Sequence, residues 1–467
     1  MTSATSAAPT ASTLGALRAS GHIHRTVKEE IRANLVAAMR AGTPRFGGIV
    51  GYDDSVLPEL ERALLAGHDI VLLGERGQGK TRLARSLVGL LDEWTPVIEG
   101  SEISEHPYHP VTPWGVRVAA DLGDDLPVGW RHRSLRYGEK LATPDTSVGD
   151  LVGDVDPTKV AEGRRLGDPE TVHYGLVPRT NRGVFVVNEL PDLAERIQVG
   201  LLNVLEERDI QVRGYSVRLP LDVLLVATAN PEDYTNRGRI ITPLKDRFGA
   251  EVRTHYPVTL ADEVALVRQE AHLVAPVPQP VLEVVAAFAR AVRSSPAVDQ
   301  RSGVSARFGV ACAEGVAAAA LRRGALTGEA EPVARVGDLP VVVPTLRGKV
   351  EFEMGHEGRE RDVLEHLAKV AVAEVYRERL RGADLTGVTD RFAEGATVED
   401  GDLVPSATIL AQLGPVPGLA GLLARLGMDD AATPAEVASG VELVLEGLHL
   451  TRRIGKDAVD GRTVYAA

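Results

Sequence analysis

The first clear pattern along the chain is helical. Between residues 24 and 42 the apolar residues recur three or four positions apart, at Val27, Ile31, Leu35 and Ala38. Residues at this spacing share one face of a helix, and Gly42 follows as a common residue at a helix end. The pattern therefore predicts an N-terminal helix with one buried face.

From about residue 69 onward, short apolar runs alternate with helical stretches. The runs that predict strands are 69–73, 96–99, 184–187, 222–228 and 251–256. Strands that are apolar along their whole length and separated by helices are typical of a parallel sheet covered on both faces. We therefore expect an α/β domain.

The pattern changes at Pro257, after which helical spacing dominates to about residue 385. A Pro- and Val-rich interruption, LPVVVPTLRGKVEFEM, is expected to form an extended insertion. A Gly- and Asp-rich linker follows at 382–402. Thr433, Pro434 and Glu436 then predict a capping box at the start of a last helix.

Composition narrows the class of protein. A chain of 467 residues is too long for one compact core, and its net charge of -13 opposes non-specific binding to nucleic acid. The single cysteine, Cys312, excludes an intrachain disulfide and a Cys-rich zinc site. No apolar run is long enough to cross a bilayer, and the N-terminus lacks the pattern of a secretory signal. We expect a cytoplasmic protein without membrane contact.

Residues 74–81 read GERGQGKT and match the phosphate-loop pattern G-x-x-x-x-G-K-[ST] between a predicted strand and a predicted helix. The glycines let backbone N–H groups turn toward phosphate oxygens, and the helix N-terminus adds partial positive charge. Lys80 is expected at the β- and γ-phosphates of ATP, and the Thr81 hydroxyl at Mg²⁺. The predicted nucleotide ligands are Gly74, Glu75, Arg76, Gly77, Gln78, Gly79, Lys80 and Thr81.

A second strand, GVFVVNEL at 183–190, ends in Asn188 and Glu189. Phosphate-loop enzymes hold the metal with the loop hydroxyl and an acidic residue on such a strand. Glu189 is predicted to be the general base. Asn188 lacks the usual negative charge, but its carbonyl can accept a hydrogen bond from a magnesium-bound water. The alternative is a buried strand that ends at a helix start, and both interpretations can hold together.

Asn230 follows the apolar run 222–228 and precedes Pro231. A polar residue at the carboxyl end of a central strand lies beside the bound phosphate in this class of fold. Asn230 is therefore predicted to contact the γ-phosphate or to position water. The competing interpretation is an ordinary Asn-Pro turn.

These motifs together resemble the AAA+ ATPases, in the branch of the magnesium-chelatase motor subunit and the MoxR-type chaperones. The similarity covers about residues 46–325. It includes an insertion-like segment at 151–183, a helix, hairpin and sensor strand in LLNVLEERDIQVRGYSVRLPLDVLLVATANP, and the arginine-finger-like ITPLKDRFG. The resemblance implies a P-loop core with a five-stranded parallel sheet, a helix-2 insert and a pre-sensor hairpin, followed by a helical lid and a small helical C-terminal domain.

The domain limits expected from the pattern and the resemblance are a disordered tail at 1–20, an AAA+ core with an N-terminal helix at 21–257, a helical lid with an extended insertion at 258–385, and a linker with a helical C-terminal segment at 386–467. The resemblance also assigns roles to arginines. Arg247 matches the finger that reaches a neighbouring subunit's ATP, with Arg237 and Arg239 in reserve. Arg307 matches the sensor-2 arginine. A finger acting in trans implies a ring, expected to be a hexamer.

Two regions allow a functional and a structural interpretation. His106, His109 and His132 lie in a segment rich in aromatic residues and could hold a metal, although loop histidines are more often hydrogen-bonded or exposed. The predicted hairpin carries Arg208, Arg213 and Arg218, which could grip an acidic partner or form a solvated face.

Three functions compete. The leading hypothesis is an ATP-driven machine that remodels a separate protein with a von Willebrand factor A domain, as the family resemblance implies. The second is the magnesium-chelatase motor itself. The third is a nucleic-acid motor or a sigma-54 activator, although the GAFTGA loop of such activators is absent from the sequence.

Overall fold

The computed structural model describes residues 7–156, 158, 161, 171–206, 210–212, 215–217, 219–231, 239–300, 302–429, 431–459 and 462–467. The chain divides into two compact units. The first comprises Met1–Glu75 and Gly79–His255, and the second comprises Arg76–Gln78 and Tyr256–Ala467. Each described helix is too short or too polar to cross a lipid bilayer.

The first unit contains eleven described strands and a set of short helices. The strands are β1 Ile70–Leu73, β2 Trp94–Ile98, β3 Val128–His132, β4 Tyr137–Leu141, β5 Gly153–Val155, β6 Val172–Tyr174, β7 Gly183–Asn188, β8 Ile210–Val212, β9 Tyr215–Val217, β10 Val223–Ala229 and β11 Ala250–Arg253. The helices are Leu14–Ala19, Val27–Ala41, Val56–Ala66, Lys80–Ser86, Pro113–Leu122, Val148–Leu151, Leu176–Arg179, Glu195–Glu206 and Thr242–Arg247.

Five of these strands form one parallel sheet in the order β11-β1-β10-β7-β4, which confirms the predicted fold class. The residues of β1, β7 and β10 are buried along their whole length. Because neighbouring strands are parallel, their carboxyl ends meet at one edge of the sheet. Leu73 pairs with Ala229 and Val187 pairs with Ala227, so the residues that follow β1, β7 and β10 are brought together.

The fifth strand is not the predicted run 96–99. That run belongs to β2, which pairs antiparallel with β3 outside the main sheet. The edge position is taken by β4, whose sequence YGEKL is half-exposed and carries Glu139 and Lys140. Charged side chains on an edge strand hinder its pairing with other chains. Because β4 lacks the apolar run from which buried strands are predicted, the sequence pattern does not reveal it.

The predicted N-terminal helix is confirmed as Val27–Ala41, with a capping box between Thr26 and Glu29 and Gly42 in a left-handed conformation at its end. The predicted disordered tail is wrong over Leu14–Ala19, which form a helix capped by Thr13. Leu14 and Leu17 are buried, and Leu14 packs with Ile98 and Leu126. Two apolar residues give too weak a pattern to predict a helix whose stability comes from tertiary packing.

The second unit is largely helical, with a small antiparallel sheet near its end. Its helices are Leu260–Glu270, Gln279–Ser294, Arg307–Thr327, Leu339–Leu346, Glu360–Arg379, Thr386–Ala393, Ser406–Leu413, Leu419–Arg425 and Pro434–Leu450. The sheet has the order β12-β14-β13, formed by β12 Val398–Asp400, β13 Gly455–Val459 and β14 Arg462–Ala466.

Two predictions for this unit are wrong. The expected extended insertion begins with a helix, Leu339–Leu346, despite its two prolines. The residues it buries are Leu339, Val342, Val343 and Leu346, which have helical spacing hidden by a β-branched composition. The expected linker and helical C-terminal segment contains Thr386–Ala393 and the three-stranded sheet as well. The capping box of the last helix is confirmed at Thr433 and Glu436.

Candidate active site

The phosphate-loop motif connects β1 to the helix Lys80–Ser86. Gly77 and Gly79 have φ angles of 76° and 75°, a left-handed conformation that glycine adopts without strain. Gly79 caps the helix, whose first turn leaves backbone N–H groups that can bind an anion. The Gly74 N–H donates to the Ala229 carbonyl at 3.1 Å and anchors the loop to the end of β10. The local conformation is therefore suited to phosphate.

Within the loop, the side chain of Gln78 is buried, and the Arg76 carbonyl accepts a hydrogen bond from the Tyr256 hydroxyl at 2.8 Å. Arg76–Gln78 belong to the second compact unit, whereas Gly74, Glu75, Gly79, Lys80 and Thr81 belong to the first. The eight predicted nucleotide ligands are consecutive in the chain, from Gly74 to Thr81.

Lys80 is buried, and its ammonium contacts oxygens of the phosphate loop and of β10's end. Its Nζ donates to the Gly74 carbonyl, to the Glu75 carbonyl at 2.8 Å and to Asn230 Oδ1 at 2.8 Å. The structure therefore brings the loop lysine into contact with the residue that follows β10. A lysine and an amide in contact at the carboxyl edge of a parallel sheet can together hold a phosphoryl group.

The Thr81 hydroxyl is connected to the end of β7. Its Oγ1 lies 3.2 Å from Asn188 Oδ1, and Thr228 Oγ1 lies 3.3 Å from the same amide oxygen. The Thr228 hydroxyl also accepts the Glu189 N–H at 3.0 Å. These four residues, from the helix after the phosphate loop, the end of β7 and β10, form one hydrogen-bonded group.

Thr228 was missed by sequence reasoning. It is a buried hydroxyl in a strand whose other residues are Val, Leu and Ala. Threonine is itself a common strand residue, so its position alone does not mark it as functional. The available signal was its place two residues before Asn230, as a polar residue near the end of an apolar strand.

Glu189 has an unusual backbone. Its φ and ψ angles are 56° and 47°, the left-handed region that non-glycine residues seldom adopt, and its side chain is only partly buried. Its carbonyl accepts the Asp192 N–H at 2.9 Å. Such a conformation costs about 1–3 kcal/mol and is concentrated at functional sites. The turn places Glu189 directly after β7, at the same edge of the sheet as the phosphate loop.

The predicted arginines lie at the surface of their units. Arg247, the last residue of the helix Thr242–Arg247, is paired at 3.4 Å with the exposed Asp246. Arg239 is largely exposed and lies 4.0 Å from Glu195. Arg307 is exposed at the start of the helix Arg307–Thr327 in the second unit. Arg237 lies outside the described residues.

The predicted hairpin is present as the antiparallel pair β8 and β9. Arg208, Arg213 and Arg218 lie outside the described residues, so the hairpin's charge remains a prediction.

Two histidines of the aromatic segment, His106 and His109, lie against His22 and His24. His106 is buried, its ring lies 4.4 Å from that of His24 and 5.4 Å from that of His22, and its Nδ1 accepts the Tyr108 N–H. His109 also contacts His24. Burial, assisted by Arg182, lowers the pKa of His24 to about 4 and that of His106 well below its usual range. The His24 and His106 rings are therefore neutral at physiological pH.

The histidine segment gives no support for a metal centre. The rings of His22, His24, His106 and His109 contact one another, while His132 packs edge-on against Trp94. Among the described residues, no group of three or more His, Cys, Asp or Glu is placed to hold a metal ion.

The sheet order, the glycine-rich loop after β1 and the polar ends of β7 and β10 define a P-loop fold of the AAA+ type. Among curated proteins, the chain is similar to subunits of magnesium chelatase. It is 28% identical over 233 residues to the magnesium-chelatase 38 kDa subunit of Rhodobacter capsulatus, a match that covers 48% of this chain and 59% of that protein. It is 27% identical over 243 residues to the ChlI subunit of Nostoc, covering 51% and 61%. The chain thus spans about three-fifths of the length of these curated relatives.

A family model described as the sigma-54 interaction domain matches residues 166–247. Solved structures with a similar fold include the magnesium-chelatase subunits in a BchI–BchD complex, at 23% identity and a TM-score of 0.36, with coverage of 71% of this chain and 95% of that one. NtrX from Brucella abortus in complex with ATP is 14% identical with a TM-score of 0.42, and the match covers 78% and 72%.

Proposed function

We propose that this chain binds and hydrolyses MgATP in a ring of identical subunits and uses the cycle to remodel a separate protein. The observation that carries the proposal is the pair of contacts at one edge of the sheet, Lys80 with Asn230 and Thr81 with Asn188. These contacts join the phosphate loop to the ends of β10 and β7. They support a site in which a lysine, a hydroxyl and two amides, groups suited to phosphoryl transfer from ATP, lie at one edge of the sheet.

Each residue has a role that follows from its chemistry. The Lys80 ammonium, which donates to the Glu75 carbonyl and to Asn230, would make charge-assisted hydrogen bonds to the β- and γ-phosphates. The Thr81 oxygen would be the metal ligand that the chain itself supplies, with Asn188 accepting the Thr81 hydroxyl hydrogen. Glu189 orients and deprotonates the attacking water, and Asn230 positions the γ-phosphate or that water. The donors therefore fit MgATP as substrate.

Assembly into a ring is proposed from the arginines. Arg247 lies on the surface, where a guanidinium can reach a neighbouring subunit, and its partner is an exposed aspartate whose pairing with it contributes little. Arg307, at the start of a helix in the second unit, is proposed as the sensor-2 arginine. By the family resemblance the ring is a hexamer.

The partner is proposed to be a separate protein with a von Willebrand factor A domain. This follows from the family resemblance. The curated relatives are each a subunit of magnesium chelatase, which supports a role alongside other polypeptides. The charge of -13 makes nucleic acid a poor alternative partner.

The second candidate is the magnesium-chelatase motor, favoured by the similarity to those subunits. This candidate is tested by mixing the chain with the other two chelatase subunits, a porphyrin and MgATP, and measuring metal insertion into the porphyrin. Metal insertion that requires this chain would establish the second candidate, and its absence in an assay that works with an authentic motor subunit would exclude it.

The third candidate, a transcription regulator or nucleic-acid motor, rests on the match of residues 166–247 to the sigma-54 interaction domain. Stimulation of ATP hydrolysis by DNA, with loss of that stimulation at high salt, would favour it.

The central proposal is tested with Lys80→Ala and Glu189→Gln. Lys80→Ala should weaken binding of a fluorescent ATP analogue at least ~100-fold, because a charged phosphate contact is lost. Glu189→Gln should bind ATP like wild type and hydrolyse it about 10²- to 10⁴-fold more slowly, as expected for loss of a general base. In the presence of ATP, the particle mass of Glu189→Gln should be that of a ring and not that of a single subunit.

Arg85→Ala is the matched control. Arg85 lies on the same helix as Lys80, but pairs at the surface with Glu139, so binding should be unchanged. Equal ATP affinity in wild type and Lys80→Ala would overturn the assignment of the site.

A further inference from the structure

Thr228 joins two strands at the carboxyl edge of the sheet. It is the only hydroxyl residue of β10, is 2% exposed, and lies one residue beyond the Ala227–Val187 pair. A buried hydroxyl needs partners, and Thr228 finds both of its partners at the end of β7. Its oxygen accepts the Glu189 N–H at 3.0 Å, and its hydrogen points to Asn188 Oδ1 at 3.3 Å.

The first of these bonds holds the backbone of Glu189. That residue is in the left-handed region, which a non-glycine residue keeps only where its surroundings fix it. Its N–H is fixed by Thr228 and its carbonyl by the Asp192 N–H at 2.9 Å. Removing the Thr228 hydroxyl releases one of these two restraints and allows the carboxyl of Glu189 to move relative to the phosphate loop.

The second bond limits what Asn188 can do. An amide oxygen has two acceptor positions, and the Thr81 and Thr228 hydroxyls lie 3.2 and 3.3 Å from it. If the Thr81 oxygen offers a lone pair to the metal, its hydroxyl hydrogen is left to donate to Asn188. The Asn188 amide must therefore turn its carbonyl oxygen, and not its nitrogen, toward Thr81. Both acceptor positions of Oδ1 are then occupied, and the amide nitrogen can only donate.

We propose that Thr228 is a positioning residue for ATP hydrolysis, which fixes the backbone of Glu189 and occupies the second acceptor position of Asn188. This inference rests on the proposed function, because it requires that the site hydrolyse MgATP. It assigns opposite effects to one hydroxyl. The hydroxyl supports the chemical step through Glu189 and reduces the capacity of Asn188 to accept a hydrogen bond from metal-bound water.

The test compares Thr228→Val, which removes the hydroxyl at nearly constant shape, with Thr228→Ser, which keeps it. Thr228→Val should lower kcat about 10- to 100-fold, the usual effect of changing a group that orients a site residue, while KM changes less than about threefold. Thr228→Ser should stay within about threefold of wild type in kcat. Val226→Ala, which removes buried apolar atoms earlier in the same strand and no hydrogen bond of a side chain, serves as the control for strand packing.

A binding measurement separates positioning from a structural role. The Mg²⁺ concentration at half-saturation of ATP-analogue binding should be no higher in Thr228→Val than in wild type, because an acceptor position on Asn188 becomes available. A variant that is only damaged would bind Mg²⁺ and nucleotide more weakly as well as hydrolyse more slowly. A rise in the Mg²⁺ midpoint together with the fall in kcat would therefore overturn the proposal.

The remaining outcomes are also decisive. If Thr228→Val keeps kcat within threefold, or if Thr228→Ser loses as much as Thr228→Val, Thr228 does not position Glu189. If Thr228→Val does not fold, Thr228→Ala is compared with Thr228→Ser in the same way. Failure of wild type to bind or hydrolyse MgATP would reject the proposed function itself, whereas normal hydrolysis by Thr228→Val in an active protein rejects only the role of Thr228.

Discussion

The two ends of the central sheet carry different kinds of polar side chains. At the amino ends, a charged residue immediately precedes four of the strands: Asp69 before β1, Arg136 before β4, Arg182 before β7 and Asp222 before β10. At the carboxyl ends, the corresponding groups are the hydroxyls and amides of Thr81, Asn188, Thr228 and Asn230, gathered near Lys80.

At the amino end the charges neutralise one another. Glu30, from the helix Val27–Ala41, pairs with Arg136 at 2.8 Å and with Arg182 at 3.0 Å. Arg182 also pairs with Asp222 at 2.9 Å. These groups tie the N-terminal helix to the sheet. Because each charge already has an opposite charge, this end offers little to an external ion.

At the carboxyl end the Lys80 ammonium donates to the Glu75 carbonyl and to Asn230 Oδ1. The side chains gathered there include a lysine, two threonines and two asparagines, which are types that can hold a phosphoryl group and its metal. The ion pairs of the amino end join elements of the fold, whereas the carboxyl end is where we propose that the nucleotide binds.

The largest predicted effect tests whether the carboxyl end is completed by a second subunit. Arg247→Ala should bind nucleotide normally and lose about 10³- to 10⁵-fold in hydrolysis, or roughly 4–7 kcal/mol of transition-state stabilisation. Arg253→Ala, at an exposed arginine paired with Glu251, should have no effect. Mixing Arg247→Ala with Lys80→Ala subunits should restore part of the activity, since some interfaces then pair an intact loop with an intact arginine. No recovery in verified mixed rings would contradict a role in trans.

The next effect tests the amino end. Glu30→Gln leaves two buried arginines without their shared carboxylate, and breaking a buried pair in this way costs about 3–5 kcal/mol. All three tryptophans, Trp94, Trp114 and Trp130, lie in the first unit, so urea unfolding followed by tryptophan fluorescence reports this loss. Folded Glu30→Gln should bind ATP with wild-type affinity.

Glu29→Gln is the control, because glutamine also serves in a capping box and Glu29 is an exposed neighbour on the same helix. It should change the unfolding midpoint little. If Glu30→Gln weakened ATP binding without lowering stability, the assignment of the amino end to structure would be wrong.

The sequence predicts the carboxyl end far better than the amino end, for a physical reason. The phosphate loop, β7 and β10 combine uniform burial with local motifs, and parallel pairing then forces Lys80, Asn188 and Asn230 to one edge. The ion pairs of the amino end join Glu30 to Arg182 across 152 residues, and only the tertiary fold specifies them. The edge strand β4 and the helix Leu339–Leu346 were missed for a related reason, because partial exposure in one and β-branched composition in the other mask their periodicity.

The contacts at the amino end should also make the stability of the first unit depend on pH. The Arg182 guanidinium donates to His24 Nε2 at 3.2 Å, and burial together with this charge lowers the pKa of His24 to about 4. A histidine with a lowered folded pKa contributes stability that is present above its unfolded pKa of about 6.5 and is lost as pH falls toward the folded value. Between pH 6.5 and 4, unfolding of the first unit should therefore take up protons.

His24→Gln should remove about one of these protons, as measured from the pH dependence of the urea midpoint. Burial also lowers the pKa of His22 and His106, so part of the dependence should remain in the variant. An unchanged pH dependence in His24→Gln would place the proton uptake elsewhere.

The smallest predicted effect adds a charge to the carboxyl end. Asn188→Asp keeps the acceptor for the Thr81 and Thr228 hydroxyls and replaces the amide nitrogen with a second oxygen, which can accept a hydrogen bond from a magnesium-bound water. Changes outside the direct metal ligands typically alter affinity or activity by about 10- to 100-fold, and a restored acceptor next to an unchanged Glu189 should act at the lower end of that range. Asn188→Asp should therefore lower the Mg²⁺ concentration needed for half-maximal hydrolysis and raise the rate several-fold, while ATP affinity at saturating Mg²⁺ stays the same.

The same variant should also be less stable without nucleotide. The new carboxylate then lies in a buried position, so Asn188→Asp should unfold at a lower urea concentration and regain stability when MgATP is added. Asn188→Leu is the matched control, because it keeps the size and removes both polar atoms, and it should raise the Mg²⁺ midpoint. If Asn188→Asp leaves the Mg²⁺ midpoint unchanged, or abolishes activity in a folded protein, the missing negative charge at position 188 is not what limits magnesium binding.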